Sequence, residues 1–189
     1  MNQSAKIVIA SVLKPVDDVR NYHKLAKSIQ SISKVEVHVF GSRSSQQTDS
    51  RFLHAWKNFN RLSIGRLSIQ WQFWKKVSQL KPDILIITTF ELLVPACCYK
   101  ILFRKTLLYD VQEDYFKNLW HQQFYPPLIR HVLAIGIRIY EWLLRPFVSH
   151  YFLAEECYAD EIGFVKGKST AVPNKSFEIK KSPPSAHCR

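Results

Sequence analysis

A chain of 189 residues with 47% hydrophobic and 22% charged side chains can fill one globular core and is too apolar for wholesale disorder. Its 27 Lys and Arg outweigh 15 Asp and Glu, and the net charge of +12 favours an anionic partner such as phosphate, a lipid surface or nucleic acid. The cysteines, Cys97, Cys98, Cys157 and Cys188, include a vicinal pair but no C-x-x-C, which suits neither a disulfide framework nor a zinc site.

The first element is KIVIASV (6–12), a continuous apolar run of the kind that forms a strand covered on both faces. No small-residue cleavage pattern follows it, so it does not read as a secretory signal. Val19, Tyr22, Leu25, Ala26, Ile29 and Ile32 then recur at helical spacing, with Asp17 or Asp18 placed to cap the helix. VEVHVFG (35–41) alternates and ends in Gly, a second strand, and a polar loop runs to residue 50. FLHAWKNF (52–59) is a weaker strand candidate, followed by a helix over 64–80.

PDILIITTF (82–90) is another buried strand, and ELLVPACCYKILF (91–103) an apolar helix that Pro95 threatens to break or shorten. KTLLYD (105–110) is the next strand, and a long helical region spans about 126–148. HYFLA (150–154) and STAVP (169–173) are two short strands flanking a helix over 155–164. Strand and helix alternating at this rhythm predict an α/β fold: a Rossmann-like three-layer domain with a mostly parallel sheet. The domain is expected over 1–174, with 175–189 a polar tail. No window of about 20 residues escapes charge, so no transmembrane span is expected.

Open parallel sheets bind ligands outside the carboxyl ends of their strands. TLLYD ends there at Asp110, and Gln112, Glu113 and Asp114 follow at once. Such groups suit sugar hydroxyls, a base or a cation. Equally, Asp110 and Asp114 could cap the next helix, a contribution of roughly 0.3–1 kcal/mol. The acids are too few and too clustered on one loop to argue a metal site.

YDVQEDY (109–115), following PDILIITTFELLVPA (82–96), resembles the N-terminal half of bacterial family 4 glycosyltransferases, a retaining group of GT-B architecture. SVLKPVDDVRNYHKLAKSI (11–29) is similar to that family's first strand, loop and helix, and YFLAEECYADEI and VPNKS to its last helix and strand. The resemblance covers about residues 6–176 and implies half of a GT-B fold, the half that receives the acceptor. It implies acceptor contacts from Asp17, Asp18, Arg20, Glu91, Asp110, Glu113 and Asp114, with Arg20 meeting a phosphate.

The intact class transfers a hexosyl group from a nucleotide sugar, and the donor-binding half has no counterpart in this sequence. No cofactor bound by this chain is therefore expected, and the resemblance leaves two outcomes open. One is an acceptor domain for cell-surface glycan synthesis, inactive alone. The other is a non-catalytic module that pairs with a separate donor-domain polypeptide or regulates a full-length relative. Phe90 stands where the family usually has His, and phenyl cannot supply imidazole's hydrogen bonds. Catalytic residues are not assigned.

Between Ser50 and Pro82 there is no acid, while Arg51, Lys57, Arg61, Arg66, Lys75 and Lys76 interleave with aromatics that include Trp71 and Trp74. Basic residues near an anionic membrane contribute about 1 kcal/mol each, and Trp favours the headgroup level. With the lipid-linked acceptors common in such a family, this predicts a cytoplasmic chain docked peripherally on the inner membrane face. The same residues would also serve as core aromatics under a solvated basic face. No nucleic-acid motif is evident, so no nucleic-acid partner is expected.

In the helix near 128–148, Arg130, Arg138, Glu141 and Arg145 share an arc of roughly 80° and nearly all else is apolar. Such a helix is either well buried or contacts lipid on a second face, and burial is the expectation taken.

Overall fold

Seven stretches pair as strands of one sheet in a computed structural model that describes residues 4–44, 51–56 and 68–174. In chain order they are β1 (Lys6–Pro15), β2 (Glu36–Ser42), β3 (Leu53–Ala55), β4 (Ile84–Ile87), β5 (Thr106–Val111), β6 (His150–Leu153) and β7 (Ser169–Ala171). Every pairing is parallel, and the order across the sheet is β3-β2-β1-β4-β5-β6-β7. The chain steps outward from β1 in one direction to β2 and β3, then crosses back to β4 and steps the other way. The switch point of this doubly wound sheet therefore lies between β1 and β4.

The helices are α1 (Lys27–Ile32), entered through a wide-turned segment over Val19–Ala26, then α2 (Ser68–Leu80), α3 (Leu93–Phe103), α4 (Tyr115–His121), α5 (Pro127–Leu144) and α6 (Tyr158–Glu161). Strand residues of alternating parity feed two cores. Val8, Ala10, Val12, Leu85, Ile87 and Leu107 face α2 and α3, and pack on Ile69, Phe73, Val77, Ala96 and Tyr99. Ile7, Ile9, Val37, Val39 and Ile86 face the first helix and pack on Tyr22, Leu25, Ala26 and Ile29. The three-layer Rossmann-like architecture is the one the alternation predicts.

Local chemistry explains most element ends. The Asp18 carboxylate accepts from the backbone N–H of Arg20 and Asn21, and Asp114 does the same for Phe116 and Lys117 at the start of α4. Pro127 opens α5 at its first position. Pro95 lies in the first turn of α3, where a missing N–H costs nothing, so it leaves the helix intact. Arg104 ends α3 with φ +52°, a left-handed conformation usually left to glycine. Cys97 is buried within α3, which pushes its thiol up to about 12.

The structure departs from the sequence expectations in several places. β1 extends through Pro15 and β4 starts only at Ile84. The helix expected over 155–164 shortens to α6 plus a tight turn over Gly163–Val165. α4 was anticipated only as a helix that Asp114 could cap, with no bounds given. Residues 57–67 and the tail 175–189 lie outside the described residues.

The largest departure is α5, expected to be buried. Only Ala134 and Glu141 are buried in it, while Leu128, Val132, Ile139 and Leu143 are 77%, 62%, 52% and 57% exposed. Its polar stripe faces inward, because Arg138 and Glu141 have partners there. No helix among the described residues is long and apolar enough to cross a membrane.

Candidate functional site

A cleft of about 210 Å³ opens at the carboxyl ends of the central strands, at the switch point. The turn ending β1 contributes Leu13 and Lys14, the end of β4 Thr88 and Thr89, and the segment after β5 Gln112, Glu113 and Tyr115. Lys14 Nζ meets Glu113 Oε1 at 3.4 Å across the mouth, with both side chains a little under half exposed. Asn118 donates to the other Glu113 oxygen at 3.3 Å. At this exposure the ion pair contributes at most about 1 kcal/mol, so it can open for a ligand.

The β1 turn is held from below. Gly41, at the end of β2, lies so close that a Cβ there would meet Lys14 O at 2.6 Å and Val16 N at 2.8 Å. Trp56 donates from its indole N–H to Ser11 O at 2.7 Å. The Thr89 hydroxyl accepts from Val12 N at 3.3 Å, and the Thr88 hydroxyl donates to Ala10 O at 3.4 Å. The cleft floor is thus a set of hydroxyls keyed to the β1 backbone.

Behind the cleft is a buried charge network. Arg20 Nε and Nη2 grip the Asp110 carboxylate at 2.8 and 2.5 Å, with the two side chains 4% and 0% exposed. Its remaining nitrogen donates to Val172 O at 2.7 Å. The Gln112 amide donates to Asp110 and to the Asn21 side-chain oxygen, at 2.9 and 2.7 Å. One arginine thereby ties the first helix, the end of β5 and the segment after β7. A bidentate planar pair of this kind is geometrically demanding, and lysine cannot reproduce it.

A second network lies under α5. The Arg138 guanidinium meets Asp114 at 2.7 Å and approaches Glu141 at 3.7 Å, and Glu141 accepts from the Tyr109 hydroxyl at 2.9 Å. Burial pushes the Glu141 carboxyl up to about 7, against the opposing pull of the Tyr109 hydrogen bond and Arg138. Burial first, and then Glu141, holds the Tyr109 phenol well above its ordinary value.

Of the acids marked in the sequence, Glu113 alone lines the cleft. Asp110 and Arg20 hold each other, and Asp18 and Asp114 cap helices as described. Asp17 accepts from the Ser44 hydroxyl at 2.5 Å, and Glu91 lies half-buried on the single turn Phe90–Leu92. Phe90 packs edge-on against Tyr115 and Tyr140, with ring centres 4.9 and 6.3 Å away.

Lys14, Thr88, Thr89 and Tyr115 were not singled out from the sequence. Ordinary polar residues at strand ends give no signal until the strand order is known. In the basic aromatic stretch, Arg51 is exposed over Phe52, Trp71 is 71% exposed, and Trp74 is half-buried against Tyr99. Lys75 is exposed, and Lys76 is half-buried over the Phe40 ring. Lys57, Arg61 and Arg66 lie outside the described residues. No group of three or more His, Cys, Asp or Glu suited to a metal occurs among the described residues.

No protein-family model matches the chain, and no curated protein matches it in sequence. Solved structures do match in fold. UDP-N-acetylglucosamine 2-epimerase from Rickettsia bellii superposes with a TM-score of 0.55 at 7% identity, over 89% of this chain and 44% of that one. The lipopolysaccharide outer core galactosyltransferase WaaB gives 0.51 at 12% identity, over 90% and 46%. HepE of Anabaena, solved with UDP and glucose, gives 0.51 at 13% identity, over 90% and 44%. The chain spans less than half the length of these three proteins. At such identities the likeness is one of fold: a Rossmann-like α/β domain consistent with half of a GT-B fold.

Proposed function

We propose that this chain is the acceptor-binding half of a retaining, nucleotide-sugar-dependent hexosyltransferase of family 4 type, inactive without a donor-binding domain. The observation that carries the reading is the cleft at the switch point. Hydroxyl, amide and carboxylate groups from three strand ends converge there with one lysine, a set suited to a hydroxylated acceptor carrying a phosphate. Glu113 and Gln112 would take sugar hydroxyls, and Lys14 a phosphate oxygen. Asp110 and Arg20 act one step back, setting the position of the Gln112 amide. The nucleotide sugar would be a co-substrate held by a donor-binding domain that closes over the cleft.

Phe90 supports inactivity alone. Packed between two tyrosines, it brings no proton-transfer group toward the cleft.

The test is a transfer and hydrolysis assay with a panel of nucleotide sugars, on the chain alone and with a candidate donor-domain polypeptide. Activity only in the mixture, lost about tenfold or more in Glu113→Ala, is the expected result, since a removed polar contact costs about 1–3 kcal/mol. Activity of the chain alone would overturn the reading. So would a mixture whose activity ignores both Glu113→Ala and Lys14→Ala.

A further inference from the structure

The charge network under α5 holds two acids and one base, and it is incompletely bonded. Arg138 Nη2 reaches Asp114 Oδ1 at 2.7 Å, while Nη1 stands 3.7 Å from Glu141 Oε2, too far for a hydrogen bond. Arg138 Nη1 and Asp114 Oδ2 are buried and have no hydrogen-bond partner among the described residues. Buried polar atoms are seldom left in that state, and here the unmet donor faces the second acid. The guanidinium also lies over the Phe116 and Phe164 rings, 5.1 and 5.9 Å from their centres, which confines it between the two carboxylates.

Tyr109 and Tyr151 face Glu141 from β5 and β6, Asp114 faces it from the start of α4, and Arg138 and Tyr140 come from α5 itself. Cys97 of α3 and Arg145 after α5 act on Tyr151. Burial raises the three phenols and the Cys97 thiol, so these stay neutral. The member of the set that burial raises into the neutral range is Glu141.

A protonated Glu141 keeps its bond from Tyr109 and makes little claim on Arg138, which then belongs to Asp114. An ionised Glu141 is a full charge beside an unmet guanidinium N–H, and closing that gap forms a charge-assisted hydrogen bond. The two acids then share one base. The change reaches the cleft through α4, because Asp114 is its N-cap and accepts from Phe116 and Lys117. Tyr115, the first residue of α4, lines the cleft, and Asn118 on the same helix holds Glu113 at the cleft mouth.

We propose that Glu141 and Asp114 compete for Arg138, and that proton loss from Glu141 draws Arg138 away from Asp114 and loosens α4 at the cleft wall. The device is a proton-operated latch set beneath α5, outside the cleft it acts on. Only its meaning as a regulator of acceptor binding rests on the sugar-transfer reading.

The test is native-state amide exchange on the full chain, with a titration of the Glu141 carboxyl carbon by NMR. That carbon should titrate near neutrality. After correction for intrinsic exchange, the Phe116 and Lys117 amides should exchange about threefold or more faster at pH 8 than at pH 5.5, through a local opening that low urea does not promote. Glu141→Gln keeps an acceptor for Tyr109 and should make the corrected rates independent of pH, with a melting temperature at pH 5.5 equal to that of wild type. A His131→Gln background should preserve the wild-type behaviour, which separates the latch from the imidazole stacked on Trp120 of α4.

Four outcomes overturn the proposal: a Glu141 carboxyl that does not titrate near neutrality, α4 amides indifferent to that titration, the same pH dependence in Glu141→Gln, or its loss in His131→Gln. Exchange that accelerates in low urea together with the β4 amides also overturns it, since the effect would then be one of global stability. Neither measurement uses a sugar, so failure here leaves the transfer reading untouched, and failure of the transfer assay leaves the latch standing.

Discussion

Arg20 shows how a charged side chain marked out in the sequence can have its partner hidden by distance along the chain. Its D-V-R context after β1 marks it out, but spacing alone cannot reveal a partner ninety positions away, Asp110. Removing one member leaves the other charge buried and unpaired, at a cost of about 3–5 kcal/mol. Arg20→Met is therefore expected to lower the urea midpoint sharply, and Arg20→Lys to recover little of the loss because it cannot grip both oxygens. Equal midpoints for Arg20→Lys and wild type would remove the bidentate pair from the account. The caps at Asp18 and Asp114 were legible, since an acid just before a helical run has one common use. The Lys14–Glu113 contact across the cleft was not.

Glu141 gives a pH-dependent expectation at the same scale. Its carboxyl rises from 4.5 to about 7 on folding, so the folded chain holds that proton more tightly than the unfolded one. Stability from this group is fully present below about 4.5 and falls as pH climbs towards 7, a loss on the order of 3 kcal/mol. Glu141→Gln keeps a neutral acceptor for Tyr109 and should flatten that part of the curve. The check is the difference between variant and wild-type unfolding free energies across pH 4.5 to 7.5. A constant difference would mean that Glu141 titrates normally.

Among the elements, the continuous apolar strands were the easiest to find, because burial on both faces leaves a run that periodicity alone detects. α4 was given a cap but no bounds, because seven residues holding two aromatics and a tryptophan–histidine end carry no helical period. α5 was found, but with its sides reversed. A narrow polar stripe looks like the surface of a buried helix, and only the location of Asp114 and Tyr109 shows that the stripe points inward.

Gly41 belongs to this scale too, since its single hydrogen lets β2 end against the turn of β1 that lines the cleft. Gly41→Ala must push aside backbone, not a flexible side chain. A cost of about 1–3 kcal/mol is expected, with weakened acceptor binding because Leu13 and Lys14 shift. Unchanged thermal stability of Gly41→Ala would show that the turn yields freely.

For the whole molecule, alternation of strand and helix was enough to name a parallel three-layer sheet, and the switch point then located the cleft. The sequence could not say which strand-end residues converge, since that depends on the order β3-β2-β1-β4-β5-β6-β7 and not on proximity along the chain. The test proper to this scale is transfer in the mixture together with silence of the chain alone, and both arms read the cleft.

The position of β1 has a kinetic consequence. It is the strand on which the two halves of the sheet meet, yet the backbone of Lys6 finds Asp83 only across 77 positions. Each parallel ladder joins strands separated by a long connection, so the described sheet has no tight turn from which pairing could zip up. Refolding from urea should therefore be slow for a chain of this length, limited by loop closure and not by the strength of the core. During synthesis β1 must wait with an open edge until β4 emerges. For that interval the future centre of the sheet is the segment most exposed to wrong pairing, and a nascent chain halted before Ile84 should be the form that chaperones hold longest.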